Sequence, residues 1–260
     1  MNSRSFERTF RNKARHAPSP DPAALRELVG RTAPLAGPHA ELKAVAIALV
    51  LLLGLAVDAH TDLVGQFVVS AVVWTLWALL LHAETPPWRR ALVRATAFAM
   101  CAELFFSLGL GFYDYRFHNV PAFVPPGHVL LFMLGPTLAR RLPDLITVLV
   151  PAVAVAYALW AWVAGWSQFE VLLVALFLVA YGHGRSRKLY ATMLVLALLL
   201  ELWGTWLGNW RWQPVLPHLG LATTNPPILA GAFYALFDMY VMRAARRVHA
   251  RAPAVAAAPA

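Results

Sequence analysis

Cysteine is nearly missing: the 260-residue chain has one, Cys101, inside an apolar run. A single thiol excludes a disulfide framework and any CxxC motif, so thiol redox chemistry is not expected. Charge is scarce as well, with Asp, Glu, Lys and Arg making up 13% of the residues against 60% hydrophobic ones. That balance is too apolar for an ordinary water-soluble domain. HxxxH and ExxH spacings are absent, so no metal and no cofactor is expected. The first 40 residues lack an apolar signal-peptide core, being polar, basic and proline-containing, and the first apolar run is expected to act as the insertion signal.

What the chain has instead is a series of apolar runs, at 43–59, 62–82, 90–110, 127–140, 145–163, 167–182, 189–207 and 227–243. Most are long enough, at about 1.5 Å per helical residue, to approach the roughly 30 Å of a bilayer's hydrocarbon core. Lys and Arg are lopsided about these runs. The N-terminal segment through Lys43, then Arg89, Arg90, Arg94, Arg140, Arg141, Arg185, Arg187, Lys188 and the segment from Arg243 onwards fall on one side; Arg116 and Arg211 fall on the other. The positive-inside rule then makes this a multi-pass protein of the inner (cytoplasmic) membrane with both termini cytoplasmic. The net charge of +9 is topological on this reading, and nucleic acid is not an expected partner. The basic arm (Arg4, Arg8, Arg11, Lys13, Arg15) is suited to anionic lipid headgroups.

The expected fold is all-α, a polytopic membrane protein of about eight transmembrane helices in two parallel four-helix repeats. A disordered basic cytoplasmic arm (1–40) precedes the first repeat (41–141), the second repeat (142–245) and a disordered tail (246–260). The repeat rests on two stretches. One runs from Glu103 through Ser107, Gly111, Tyr113 and Tyr115 to Pro125-Pro126; the other from Glu201 through Thr205, Gly208, Trp210 and Trp212 to Pro226-Pro227. A gapless offset of 98 residues aligns Glu103 with Glu201 and Phe112 with Trp210. An even number of helices per unit makes the halves parallel, so both acids approach one central cavity. The double prolines are expected to begin the next helices, where a missing N–H goes unnoticed. Asp58 to Asp62 reads as a short acidic turn on the outer face, and Asp114 with Arg116 as a surface pair.

Carboxylates inside membrane helices are costly and mark function. A carboxyl in an apolar pocket favours its neutral form and can act as a general acid. Aromatic faces stabilise the cation that follows. Protonation of an alkene, leading to hydration, cyclisation or isomerisation of an isoprenoid or similar lipid, needs those two things. The candidate catalytic residues are Glu103, Glu201 and Asp238. The candidate substrate-binding residues are Tyr113, Tyr115, His128, Trp203, Trp206, Trp210, Trp212, Asn225 and Tyr234. Two other readings use the same residues: a proton-coupled or lipid transporter, with the acids as proton or cation sites, and a non-enzymatic scaffold subunit, with the acids as interhelical glue.

The order acid, glycine, aromatic-x-aromatic, then proline resembles the integral membrane carotenoid end-group enzymes, the heterodimeric or fungal-type lycopene cyclases and the carotenoid hydratases. Glu201, Gly208-Asn-Trp210-Arg-Trp212 and Pro226-Pro227 carry it; Glu103, Gly111-Phe-Tyr113-Asp-Tyr115 and Pro125-Pro126 carry a looser version. The resemblance implies a membrane enzyme acting on the end of an isoprenoid chain. Where those families place paired carboxylates after the proline, this chain has Gly127-His128 and Ile228-Leu229, which points to a hydratase-like or divergent member rather than a cyclase.

Overall fold

The computed structural model describes residues 34–35 and 39–251, with side chains through Arg247. The arm's basic residues (Arg4 to Arg15) and the segment after Arg251, with the lipid-headgroup contact expected of that arm, lie outside the described residues. Eight α-helices form among them: α1 (Ala40–His60), α2 (Leu63–Ala83), α3 (Pro86–Glu103), α4 (Val124–Arg141), α5 (Ile146–Val163), α6 (Phe169–His183), α7 (Arg187–Leu207) and α8 (Gly231–Arg251). A π-helix, Leu104–Gly109, prolongs α3, and two three-residue strands, β1 (Tyr113–Tyr115) and β2 (Trp210–Trp212), follow α3 and α7. Five helices, α1, α2, α3 with its π extension, α5 and α7, are long and apolar enough to cross a membrane. The other three fall short for visible reasons. Helix α6 has only 15 residues, α4 ends on Arg140 and Arg141, and α8 carries Asp238, Arg243, Arg246 and Arg247.

Local chemistry sets the helix ends. Asp62 accepts hydrogen bonds from the backbone N–H groups of Val64 and Gly65, capping α2. Prolines occupy the first turns of α3 and α4, where their rings fit. Gly208 stops α7 in the left-handed region, at φ 81°. The second double proline behaves otherwise: α8 begins at Gly231, after Pro226-Pro227 and a turn. The Glu170 carboxylate, at the start of α6, accepts the N–H groups of Ile228 and Leu229 at 2.7 and 3.0 Å and holds that turn open. Helix α8 also continues to Arg251, so 246–251, expected in the tail, is helical.

The surface is apolar as well as the core. Leu53, Val64, Phe67, Val148 and Val163 stand exposed on α1, α2 and α5, as lipid-facing side chains do. The centre is a ring of α3, α4, α7 and α8, each packed against the next and α8 closing back on α3. Small residues let these helices close up, among them Ala91, Ala95 and Ala99 of α3 and Ala232 and Ala235 of α8. Gly231 brings α8 close against the α7 backbone, since a Cβ there would lie 2.6 Å from the Leu194 carbonyl oxygen. Around the ring the outer helices differ: α1 packs on α4 and α7, whereas α5 packs on α6 and α7.

Candidate functional site

The strands that follow α3 and α7 pair with each other. They run antiparallel, Tyr113 opposite Trp212 and Tyr115 opposite Trp210, and two flanking bonds extend the ladder: Arg116 N–H to the Asn209 carbonyl (2.9 Å) and Gln213 N–H to the Phe112 carbonyl (3.0 Å). This ribbon hangs a ring pair over each acid. Tyr113 and Tyr115 donate their hydroxyls to Glu103 Oε2 at 2.9 and 2.7 Å. Trp210 and Trp212 donate their indole N–H groups to Glu201 Oε2 at 2.9 and 3.2 Å.

The gapless offset does not survive this register. Tyr113 lies ten residues after Glu103, but Trp210 lies nine after Glu201. The extra residue sits in the π-helix, because a π turn is a one-residue insertion into an α-helix. Tyr113 and not Phe112 is therefore the counterpart of Trp210.

Beyond those donors the two acids differ. Glu103 Oε1 lies 3.2 Å from His128 Nε2. The His128 Nδ1 lies 3.0 Å from the Val124 carbonyl, which can only accept, so Nδ1 carries the hydrogen and Nε2 turns to Glu103. A hydrogen placed between Oε1 and Nε2 would satisfy both atoms. The imidazole is held flat against Tyr234, the ring centroids 4.8 Å apart and the planes 1° from parallel. Glu201 Oε1 has no hydrogen-bond partner among the described residues, on a side chain that lines the cavity.

Both acids face one cavity of about 240 Å³. Its polar lining is Glu103, Glu201, His128 and the tips of Tyr113, Tyr115, Tyr234, Trp210 and Trp212; the remainder is aliphatic side chains and the rings of Phe98, Phe106, Phe123, Phe233 and Phe237. The cavity is smaller than the roughly 300 to 1,000 Å³ of a drug-sized ligand's pocket, and suits the end of a chain rather than a whole lipid.

Of the residues expected at the site, Glu103, Glu201, Tyr113, Tyr115, His128, Trp210, Trp212 and Tyr234 come together here. Trp203, Trp206, Asn225 and Asp238 do not line the cavity. Trp203 is two residues past Glu201, over half a helical turn away, and donates to the Leu52 carbonyl of α1 at 3.1 Å. Trp206 is 75% exposed and stacks on Trp203. Asn225 accepts the Trp212 N–H through Oδ1 at 2.9 Å, and so steadies β2 rather than the ligand space. Asp238 is fully buried, and among the described residues neither of its carboxylate oxygens has a hydrogen-bond partner.

Two expectations about the outer turns change. Asp58 is buried, accepting from Gln66 Nε2 at 3.0 Å and Asn209 Nδ2 at 2.8 Å, so it belongs to a polar knot joining α1, α2 and the ribbon. Asp114 and Arg116 do not pair: Asp114 accepts from Gln213 Nε2, and the Arg116 guanidinium donates to the carbonyls of Ala59 and Thr61. The sequence reading missed Glu170, Asn209 and the Phe wall. Helical spacing could have found Phe106 and Phe237, three residues past Glu103 and Tyr234, but not Phe98, which lies five before Glu103 and off that phase. No three His, Cys, Asp or Glu side chains group to hold a metal among the described residues. No protein-family model, no curated protein and no solved structure matches the chain.

Proposed function

We propose that the chain is a multi-pass membrane enzyme that protonates an alkene at the end of an isoprenoid or similar lipid. One observation carries this reading: two carboxyl groups of unequal hydrogen-bond completeness face the same apolar, aromatic cavity. Each Oε2 is held as an acceptor by two rings, so a proton on either acid sits on Oε1. On Glu103 that proton is shared with His128; on Glu201 it has no protein acceptor and is free to leave toward substrate. Glu201 is the acid. It forms a new C–H bond as the alkene π electrons take its proton, and the carbocation is stabilised by the π faces of Trp212, Tyr113 and Phe233. The Glu103–His128 pair is the base. With the shared hydrogen on His128 Nε2, Glu103 Oε1 accepts a proton from a neighbouring carbon, giving an isomerised or cyclised product, or from a water that adds to the cation, giving a hydrated one. A proton returned to Glu201 resets the pair.

The same reading takes the eight helices as eight spans in two parallel four-helix repeats, both termini cytoplasmic in an inner membrane. The lopsided Lys and Arg residues and the matched acid, glycine and strand of each half support it. The sequence resemblance to carotenoid end-group enzymes favours a linear isoprenoid as substrate. Its test is mass spectrometry of lipids from hosts making linear isoprenoids, with and without the chain. A product heavier by one water, or an isomer with changed absorption, is the expected result; an unaltered profile across the isoprenoid panel counts against this chemistry and for a transporter.

A further inference from the structure

We infer that the substrate tail leaves the cavity for the bilayer through the seam between α3 and α8, a lateral portal for a prenyl chain. This rests on the proposed reading of the site and adds the route and the residues that form it.

Two of the helix seams around the cavity, α1/α7 and α3/α8, are closed by different chemistry. At the α1/α7 side, the Trp203 indole donates to the Leu52 carbonyl (3.1 Å), and Asn209, just past α7, donates to the Leu55 carbonyl (3.0 Å) and to Asp58 (2.8 Å). Directional bonds of this kind, in a medium without water to replace them, resist parting. Along the cavity the α3/α8 side is closed by rings. Phe98 stacks on Phe237 (centroids 6.1 Å) and on Tyr240 (4.7 Å), and Phe106 meets Phe233 at 4.8 Å. Contacts between rings, though selective in geometry, are worth only about 0.5 to 1.5 kcal/mol beyond the area they bury, and a hydrocarbon chain can supply dispersion contacts in place of either partner.

The outer helices make the same distinction. Helix α1 lies against α4 and α7 and covers the cavity there, whereas α5 packs against α6 and α7. Phe98 lines the cavity and is 43% exposed, so the seam is thinly covered at this ring. Ala102, one turn further along α3, lines the cavity with only a methyl group. The π-helix starts directly after Glu103, and its wider turn sets Phe106 at the outer end of the seam. A cavity of about 240 Å³ that holds only a chain end needs an exit for the remainder, and this seam supplies an apolar one.

The test is photolabelling in phospholipid vesicles with a prenyl alcohol carrying a diazirine on its chain, the adducts being mapped by mass spectrometry. Adducts on Phe98, Ala102, Phe233 and Leu236 are expected. Ala102→Trp, placing an indole in the seam, should abolish labelling beyond it while the protein stays monodisperse in detergent; if that variant does not fold, the wild-type map alone decides. Adducts confined to Val50 and Leu200 at the α1/α7 seam, or none on cavity residues, would overturn the portal. Neither result touches the acid role of Glu201, which deuterium incorporation tests separately.

Discussion

At the scale of single residues, the site is two carboxyl groups and the donors that fix them. Removing one hydroxyl from Glu103, by Tyr115→Phe, forfeits a bond to a carboxyl worth about 1.5 kcal/mol. Turnover is expected to drop about tenfold, with the amount of folded protein unchanged by size-exclusion chromatography; unchanged turnover would mean that Tyr113 alone orients the acid. Both acids, and the aromatic pair that follows each, were legible from the sequence because a carboxylate in an apolar helix stands out against its neighbours. Trp203 and Trp206 were overread for the same reason. Tryptophan is conspicuous in any window, but Trp203 and Trp206 sit in α7 out of phase with Glu201, whereas the rings that reach its carboxyl come from β2. Asp238 stays unassigned to the chemistry, since it is buried outside the cavity lining.

At the scale of elements, the β-ribbon is the part the sequence concealed. Two three-residue strands leave no alternation to detect, and their pairing joins residues far apart in the chain. The π-helix was equally hidden, because a one-residue insertion is visible only once the strand register shows which rings correspond. Gly204 tests how the ribbon is seated. A Cβ at that position would lie 1.9 Å from the Trp210 ring. Gly204→Ala is expected to push the indole off Glu201 and to cost about 1 to 3 kcal/mol of stability, read as a lower thermal midpoint in detergent. Asn209 joins the ribbon to α1 through Asp58 and the Leu55 carbonyl. Asn209→Ala leaves a buried Asp58 oxygen unpaired, and a loss of about 1 to 3 kcal/mol is expected; a midpoint equal to that of the wild type would show that the knot is dispensable.

At the scale of the whole molecule, the number of helices could be read from the sequence but their arrangement could not. Runs such as 43–59 and 145–163 look alike in hydropathy, yet α1 packs on two helices of the central ring and α5 on one. Which helix covers which seam depends on side chains from distant parts of the chain. The eight-span reading predicts opposite sides for the turns at His60 and Arg185. In a Cys101→Ser background, His60→Cys should react with a membrane-impermeant maleimide from outside the cell and Arg185→Cys only after lysis; labelling of both from one side would break the topology.

The central claim is that Glu201 delivers a proton to carbon, and the most direct measurement is deuterium incorporation. Membranes containing the chain are incubated with linear isoprenoid hydrocarbons in D₂O, and the products are analysed by mass spectrometry, for the wild type and for Glu201→Gln. The account predicts a product with one carbon-bound deuterium from the wild type and no product from the variant, whose side chain is nearly isosteric but has no acidic proton. Product formed without deuterium on carbon, or equal turnover by Glu201→Gln, would contradict it.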